Sequence, residues 1–377
     1  MKILMLGRIG LMEVGGGDKV QITNTANELE KLGVEVDIKT SLNVDMAPYD
    51  LVHVFQLDWT PETYFYAKKA KEIGKPLVLS PIHHSIKEVK KFEENYAFDL
   101  RRISKILFRE QHSRDTFKNI YRSFSNPEKI IPTMKSIFIG LKKMHQKTLS
   151  LSDVVLVQTD LEAWDLKQTY GVDFKWVKIP NGVGEQFLRV SSFENPFKDT
   201  KIKDYILCVG RIEPRKNQLS IIEAVNLARK EVGEDLQLVF IGKKNSSHHI
   251  EYGIRFNHQL RKYPWITHIE QVPYEQMPSY YRFAKIGVSA SWFETTGLTS
   301  LEALFCGANA VAAGSRAKEY LGKNAFYCSP DDVDSIKGAI LKAYNASPPV
   351  IPEDMKVNYT WANAAKKTLE VYKNGLK

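Results

Sequence analysis

Glu294 and Glu302 stand on either side of a seven-residue stretch, Thr-Thr-Gly-Leu-Thr-Ser-Leu. A β-type run, Ile286 to Ala290, leads into this stretch. A turn is centred on Thr295 to Gly297, and an apolar-periodic helix then carries Leu301, Leu304 and Phe305 on one face and stops near Gly307. The first backbone N–H groups of such a helix, here Leu298 to Leu301, lack partners within the helix and lie at the positive end of its dipole, so they form an anion site. A phosphate suits those amides and suits two carboxylates badly, unless the carboxylates reach past it to hydroxyl groups. The ligand so described has phosphate in the middle and hydroxyls at both ends, as a nucleotide sugar has. A second reading stays open for Glu302: Thr299 and Glu302 have the spacing of a capping box, in which the glutamate only folds back onto the start of its helix.

Cations suited to such a ligand occur upstream. The strand pattern Tyr205 to Val209 runs into Gly-Arg-Ile-Glu-Pro-Arg-Lys-Asn, with Arg211 and Lys216 flanking a turn before a helix that starts near Gln218. Two cations at the carboxyl end of a strand can neutralise a diphosphate, and arginine can do so with two parallel hydrogen bonds. Arg215 is expected to pair with Glu213 instead. Near the other end of the chain, the strand Pro76 to Ser80 ends in Pro-Ile-His-His-Ser. His83 and His84 therefore fall where open α/β sheets place ligands, or are two solvent-facing loop histidines. Gly15-Gly16-Gly17 follows the first strand without the spacing of a dinucleotide fingerprint, and serves either turn geometry or close approach of a ligand.

The elements that must hold these residues alternate in the βα manner. Ile3 to Leu6, Val34 to Ile38, Leu51 to Phe55, Leu77 to Leu79, Val154 to Val157 and Trp176 to Ile179 read as strands of a first domain. Tyr205 to Val209, Leu236 to Ile241, Thr267 to Gln271, Ile286 to Ala290, Asn309 to Ala313 and Phe326 to Cys328 read as those of a second. Glu185 to Lys203, polar and containing Asn195-Pro196, reads as the linker. Asp332-Val333-Asp334 opens a helix, where acidic residues favour the dipole, and is not read as a metal site. No Walker A loop, zinc-ligand spacing or nucleophile elbow is present in the sequence.

At 377 residues, 43% apolar and 26% charged, the chain has room for two cores of ordinary composition. No apolar run approaches the about 18 residues of a membrane span. The opening MKILMLG reads as a strand rather than a signal peptide. Cys208, Cys306 and Cys328 read as reduced core thiols, and a cytoplasmic location is expected. The net charge of +9 is concentrated: Ile86 to Lys147 holds 15 Lys and Arg against 7 Asp and Glu. That segment breaks the βα rhythm with basic amphipathic patterns such as Leu100, Ile103, Ile106 and Leu107, then Met134, Ile137, Phe138, Leu141 and Met144. It could lie on an anionic membrane, grip an acceptor pyrophosphate, or present an ordinary solvated face.

Glu, seven residues, Glu, with Gly-Leu after the first glutamate and Ala-Leu-x-x-Gly after the second, resembles the donor-site signature of the family 4 retaining glycosyltransferases, of the glycosyl transferases group 1 type. The spacing Gly-Arg, four residues, Lys matches that family's phosphate-gripping pair. Thr296 departs from the pattern, which has an aromatic residue just before the glycine. Outside the basic insertion, the resemblance covers nearly the whole chain and implies a GT-B fold: two doubly wound Rossmann-like α/β domains facing a central cleft. The first is expected over 1–185, on the acceptor side, with insertion 86–147. The second, over 186–360, would bind the nucleotide sugar, and a helix over 361–377 would pack back on the first domain.

The implied activity is retaining, metal-independent transfer of a sugar from a nucleotide sugar to a glycan or lipid-linked acceptor, in polysaccharide or glycoconjugate biosynthesis, with no cofactor. Arg211, Lys216 and the amides of Gly297, Leu298 and Thr299 would stabilise the departing diphosphate. Glu302 would hold the ribose and Glu294 the transferred sugar. Gly16 and Gly17 would approach the donor phosphates, and His83 or His84 would lie close to the sugar. The segment 86–147 leaves open a peripheral position on the cytoplasmic membrane face, and nucleic acid is not expected, because no aromatic-basic stacking motif accompanies the charge. Two other functions fit the same residues: an epimerase on the same scaffold, or a basic membrane- or nucleic-acid-binding protein with a vestigial site.

Overall fold

The computed structural model describes residues 1–13, 16–95, 113, 115, 116, 119, 120, 123, 126–188, 193–244 and 249–374. These fall into two units. One draws on Met1–Ile86, Ile103–Gly182 and Asn358–Lys377, and the other on Lys87–Arg102 and Val183–Val357.

The first unit holds a parallel sheet of β1 (Lys2–Leu6), β2 (Glu35–Lys39), β3 (Leu51–Phe55), β4 (Leu77–Ser80), β5 (Val154–Val157) and β6 (Trp176–Lys178), in the order β2-β1-β3-β4-β5-β6. β3, β4 and β5 are buried at every position, as unbroken apolar runs in a sheet covered on both faces must be. Leu4, Val52, Val54, Leu77, Leu79 and Val155 pack on Tyr66, Ala67 and Ala70 of the helix Glu62–Glu72. The last helix, Trp361–Asn374, packs on the helix Gly17–Lys31. Its Tyr372 hydroxyl lies 2.6 Å from Nδ1 of His53 in β3.

The second sheet contains β7 (Tyr205–Val209), β8 (Gln237–Ile241), β9 (Ile266–Ile269), β10 (Ile286–Val288), β11 (Asn309–Ala313) and β12 (Phe326–Cys328), in the order β12-β11-β10-β7-β8-β9 and again parallel. In each sheet the strand order reverses at one point, between β1 and β3 in the first and between β7 and β10 in the second. A crevice opens at the carboxyl ends of the strands at such a point, and doubly wound folds place ligands there. All the residues that carry chemistry in the sequence follow strands at or beside these two places.

Several expectations need correction. The segment Glu185 to Lys203 is not simply a linker: Phe187 is fully buried against Tyr274 and Tyr281, and Phe197 packs on Tyr205 and Tyr280. Two phenylalanines in a polar run are enough to fasten it to the second unit. The basic segment 86–147, read with the first domain, opens with a helix, Ile86–Asn95, whose Phe92 instead packs on Trp292 and Phe293 of the second unit. Leu100, Ile103, Ile106 and Leu107, with Gly15, lie outside the described residues. Asp332 does cap its helix, accepting from the amides of Asp334 and Ser335. Among the described residues no helix is long and apolar enough to cross a membrane.

Candidate active site

In the second unit the site grows from the loops after β7 and β10. The helix Leu298–Phe305 sits tight on β10 because Gly287 has no side chain: a Cβ there would come within 2.5 Å of the Ala303 methyl. Gly297 starts that helix with φ +91°, a backbone region that glycine enters without steric cost. The amides of Ser300 and Leu301 both bond to the Gly297 carbonyl, at 3.0 and 3.2 Å. The expected anion site therefore shrinks from four amides to two, Leu298 and Thr299, which have no backbone acceptor among the described residues.

Glu294 and Lys216 form an ion pair, with Lys216 Nζ donating to Glu294 Oε1. Arg215 Nη1 stands 3.7 Å from the other carboxylate oxygen and its guanidinium lies over the Phe293 ring. Burial alone would push the Glu294 carboxyl up, but the charges of Lys216 and Arg215 outweigh it and hold the carboxyl down at about 2. Glu294 is thus an acceptor throughout the physiological range. Arg215 also pairs with Glu213 at 3.0 Å, as expected. Arg211, not expected to do so, has Nη2 3.6 Å from the same carboxylate while its side chain stays 38% exposed. Burial of Glu213 is likewise outweighed by Arg215, Arg211 and Lys216, which hold it at about 2.

Glu302 settles the choice left open by its spacing. It does not fold back to cap its helix; the hydroxyls of Tyr274 and Tyr281 donate to its two oxygens, each at 3.0 Å. Burial pushes its carboxyl up to about 7, and the two tyrosine hydroxyls offset only part of that rise. The two glutamates are consequently in opposite electrostatic states, one ionised beside cations and one near half-protonated in a phenolic pocket. Sequence reasoning missed Tyr274, Tyr281 and the contact of Arg215 with Glu294. The tyrosines come from a 3-10 turn, Tyr274–Gln276, and the short helix Met277–Arg282 before β10, with no spacing relation to Glu302.

The first unit gathers its candidates around Asp58. The loop after β3 carries Gln56 and Trp59 at φ +72° and +59°, and the loop after β4 carries Ile82 at φ +45°. Positive φ is strained in a β-branched residue, and strain of this kind collects at functional loops. These turns bring both imidazoles to one carboxylate. His83 Nδ1 bonds Asp58 Oδ1, and His84 uses both its amide, at 2.7 Å, and Nδ1, at 3.0 Å, on Oδ2. Burial of Asp58 would raise its carboxyl, but His83 and then His84 hold it well below the usual range. His83 is fully buried, its amide donating to Glu162, whereas His84 stacks on Trp59 and keeps a little exposure. Gly16 precedes the helix Gly17–Lys31 in extended backbone, and a Cβ on Gly17 would meet nothing within 4 Å.

Residues 203–346 match the family model described as glycosyl transferases group 1. That stretch of the second unit is similar to the group 1 glycosyl transferases. The O-antigen chain mannosyltransferase B of Escherichia coli is 27% identical over 45% of this chain, and the match spans less than half of that relative, 45% of its length. Solved structures resemble the chain over nearly its full extent. Sucrose-phosphate synthase from Thermosynechococcus elongatus aligns over 99% of this chain and 98% of its own, at a TM-score of 0.70 and 15% identity. HepE from Anabaena, solved with UDP-glucose, aligns over 98% and 94% at a TM-score of 0.60 and 15% identity. The fold is the two-domain α/β GT-B class that the resemblance implies. Within the matched stretch, Arg211, Lys216, Glu294, Gly297, Leu298, Thr299 and Glu302 all lie on the β7 and β10 loops or the helix that follows.

Proposed function

We propose that this chain is a retaining glycosyltransferase that moves a sugar from a nucleotide-sugar donor to a glycan or lipid-linked acceptor, without a metal, in polysaccharide or glycoconjugate assembly. The observation that carries the reading is the pairing, in the matched stretch, of an ionised Glu294 held by Lys216 and Arg215 with a protonatable Glu302 held by two tyrosines. Cleaving the donor's bond to its diphosphate builds negative charge on the phosphates and oxocarbenium character on the sugar. Arg211, Lys216 and the amides of Leu298 and Thr299 balance the first, as preorganised donors do at any developing oxyanion. Two cations do for the diphosphate what a metal would otherwise do.

Glu294, always ionised, accepts hydrogen bonds from hydroxyls of the transferred sugar, and Glu302 takes the ribose hydroxyls. The acceptor hydroxyl attacks the anomeric carbon on the face the diphosphate leaves. Attack on that same face retains the configuration, and the acceptor's proton passes to the departing phosphate oxygen. In the first unit, His83 or His84 steadies the sugar, and Gly16 and Gly17 leave room for the donor phosphates. An epimerase would turn over its nucleotide sugar with no acceptor, and a binding protein with a vestigial site would not turn it over at all.

The experiment is thermal stabilisation by UDP, GDP, ADP, dTDP and CMP, then by the matching sugar nucleotides. A ligand at about 100 times its dissociation constant adds roughly 2.7 kcal/mol, a visible shift in midpoint. One clear responder, weakened by Lys216→Ala and Glu302→Ala, is expected. A folded protein indifferent to all of them sinks the transferase reading.

A further inference from the structure

The helix Ile130–Ile139 in the first unit is built inside out. Its buried residues are Pro132, Thr133 and Ser136, small or polar, while its large apolar residues point to solvent. Ile131 is 62% exposed, Met134 54%, Ile137 51% and Phe138 85%. A surface helix of a water-soluble domain normally turns such residues inward. Nor is this a matter of one stray side chain, because positions 130, 131, 134, 137 and 138 recur at helical spacing and make one stripe. The inward face is satisfied without them: the Ser136 hydroxyl donates to the Thr133 carbonyl at 2.7 Å, and the helix packs on its successor, Leu141–Leu151, through the opposite side.

Charge around the stripe is predominantly positive, with the exposed Glu128 one turn before Ile131 as the exception. From Lys129 to Lys147 the sequence holds five lysines and no aspartate or glutamate. Lys135, Lys142, Lys143 and Lys147 are exposed. Large apolar side chains flanked by five lysines and one glutamate match the two layers of an anionic bilayer, acyl boundary and phosphate headgroups. A protein partner would have to offer a wholly acidic rim to an apolar groove, and a second copy of the same basic face would bring like charges together.

We propose that Ile131, Met134, Ile137 and Phe138 insert into the headgroup boundary of an anionic membrane, with Lys135, Lys142 and Lys143 on its phosphates. This docking is separate from the chemistry proposed above and does not depend on it. It would keep the chain on the surface where a lipid-linked acceptor resides.

The test is co-sedimentation of the full chain with vesicles of phosphatidylcholine and phosphatidylglycerol in equal parts, against phosphatidylcholine alone. Binding only to the anionic vesicles is expected, weakened about tenfold or more by the double variant Ile131→Ser with Phe138→Ser and by Lys142→Glu with Lys143→Glu. These positions are exposed, so circular dichroism and the diphosphate-induced thermal shift stay as in the unaltered protein. The proposal is overturned if the unaltered chain ignores anionic vesicles, or if the apolar variant binds them undiminished. It is equally overturned if the unaltered chain is a dimer in solution that Phe138→Ser splits, since the stripe would then be covered by a second copy.

Discussion

Lys216 Nζ donates to Glu294 Oε1, with the two side chains only 15% and 16% exposed. A cation assigned to a diphosphate and a carboxylate assigned to a sugar are therefore a single ion pair. A diphosphate must compete with Glu294 for Lys216 and approach a carboxylate of its own sign. Two opposite effects follow from removing that carboxylate. Nucleoside diphosphate alone should bind Glu294→Ala at least as tightly as the unaltered protein, because a repulsive charge is gone and Lys216 is released. Transfer should fall about 10²-fold or more, because the acceptor for the sugar hydroxyls is lost. Titration calorimetry with the diphosphate, beside a turnover assay, separates them, and Glu294→Gln guards against a misfolded variant. Loss of diphosphate affinity in step with turnover would place Glu294 on the wrong part of the donor.

Glu302 gives the site a pH dependence of definite sign. Its carboxyl is raised from an ordinary 4.5 to about 7 by burial. The folded protein therefore holds a proton there that the unfolded chain has released. The resulting stability is present in full below pH 4.5, declines as pH rises, and is gone once pH passes 7. The difference is on the order of 3 kcal/mol as an upper bound. Glu302→Gln, neutral at every pH, should show a shallower fall in unfolding free energy between pH 5 and 8, read from denaturant titrations. Affinity should run the other way, since an ionised carboxylate is the better acceptor for ribose hydroxyls. Nucleotide binding should tighten as pH rises through about 7 in the unaltered protein and stay flat in Glu302→Gln. Equal pH profiles for the two proteins would show that Glu302 does not titrate in this range.

The fold was legible because parallel strands buried on both faces leave aliphatic runs, such as Leu51 to Phe55 and Val154 to Val157, that no surface strand would carry. All twelve strands of the two sheets lie where the sequence places them, their ends shifting by a residue or two, although the outer strands β2, β6, β9 and β12 are only partly buried. Ile286 to Ala290, for instance, is strand only to Val288, after a last bond from the Ser289 amide to Val311, and the Ser289 and Ser291 hydroxyls meet at 3.2 Å. The site was half legible. Residues adjacent in sequence, Glu294 through Glu302, announced themselves by spacing. Partners brought in from elsewhere did not: nothing local to Tyr281 marks it as a donor to Glu302, or Asp58 as the carboxylate shared by two histidines. Spacing also misled where two structures share it. Thr299 and Glu302 have the offsets of a capping box, but Gly297, able to adopt φ +91°, begins the helix two residues earlier and leaves Glu302 a full turn inside. Phe187 and Phe197 show the opposite failure, since a polar average hid two anchoring side chains.

Asp58 distinguishes two histidines that the sequence could not. His83 is fully buried, and its ring is joined to Asp58 Oδ1 while its amide bonds Glu162. Oδ2 of Asp58 accepts from the His84 amide as well as its ring, so it keeps one donor when the His84 ring is removed. His83→Ala therefore strips one oxygen of its imidazole partner and leaves a buried hole, which should cost about 3 kcal/mol of stability. His84→Ala should cost about 1 kcal/mol, the value of one hydrogen bond and a stacking contact with Trp59. Asp58→Asn removes the charge that both imidazoles use and should cost at least as much as His83→Ala. Urea unfolding of the three variants checks the order. The same variants divide structure from chemistry when turnover is measured on the folded fraction. If His84→Ala loses transfer out of proportion to its small loss of stability, His84 is the histidine that meets the sugar and His83 holds the loop for it. A stability loss as large for His84→Ala as for His83→Ala would contradict the asymmetry around Asp58 on which that division rests.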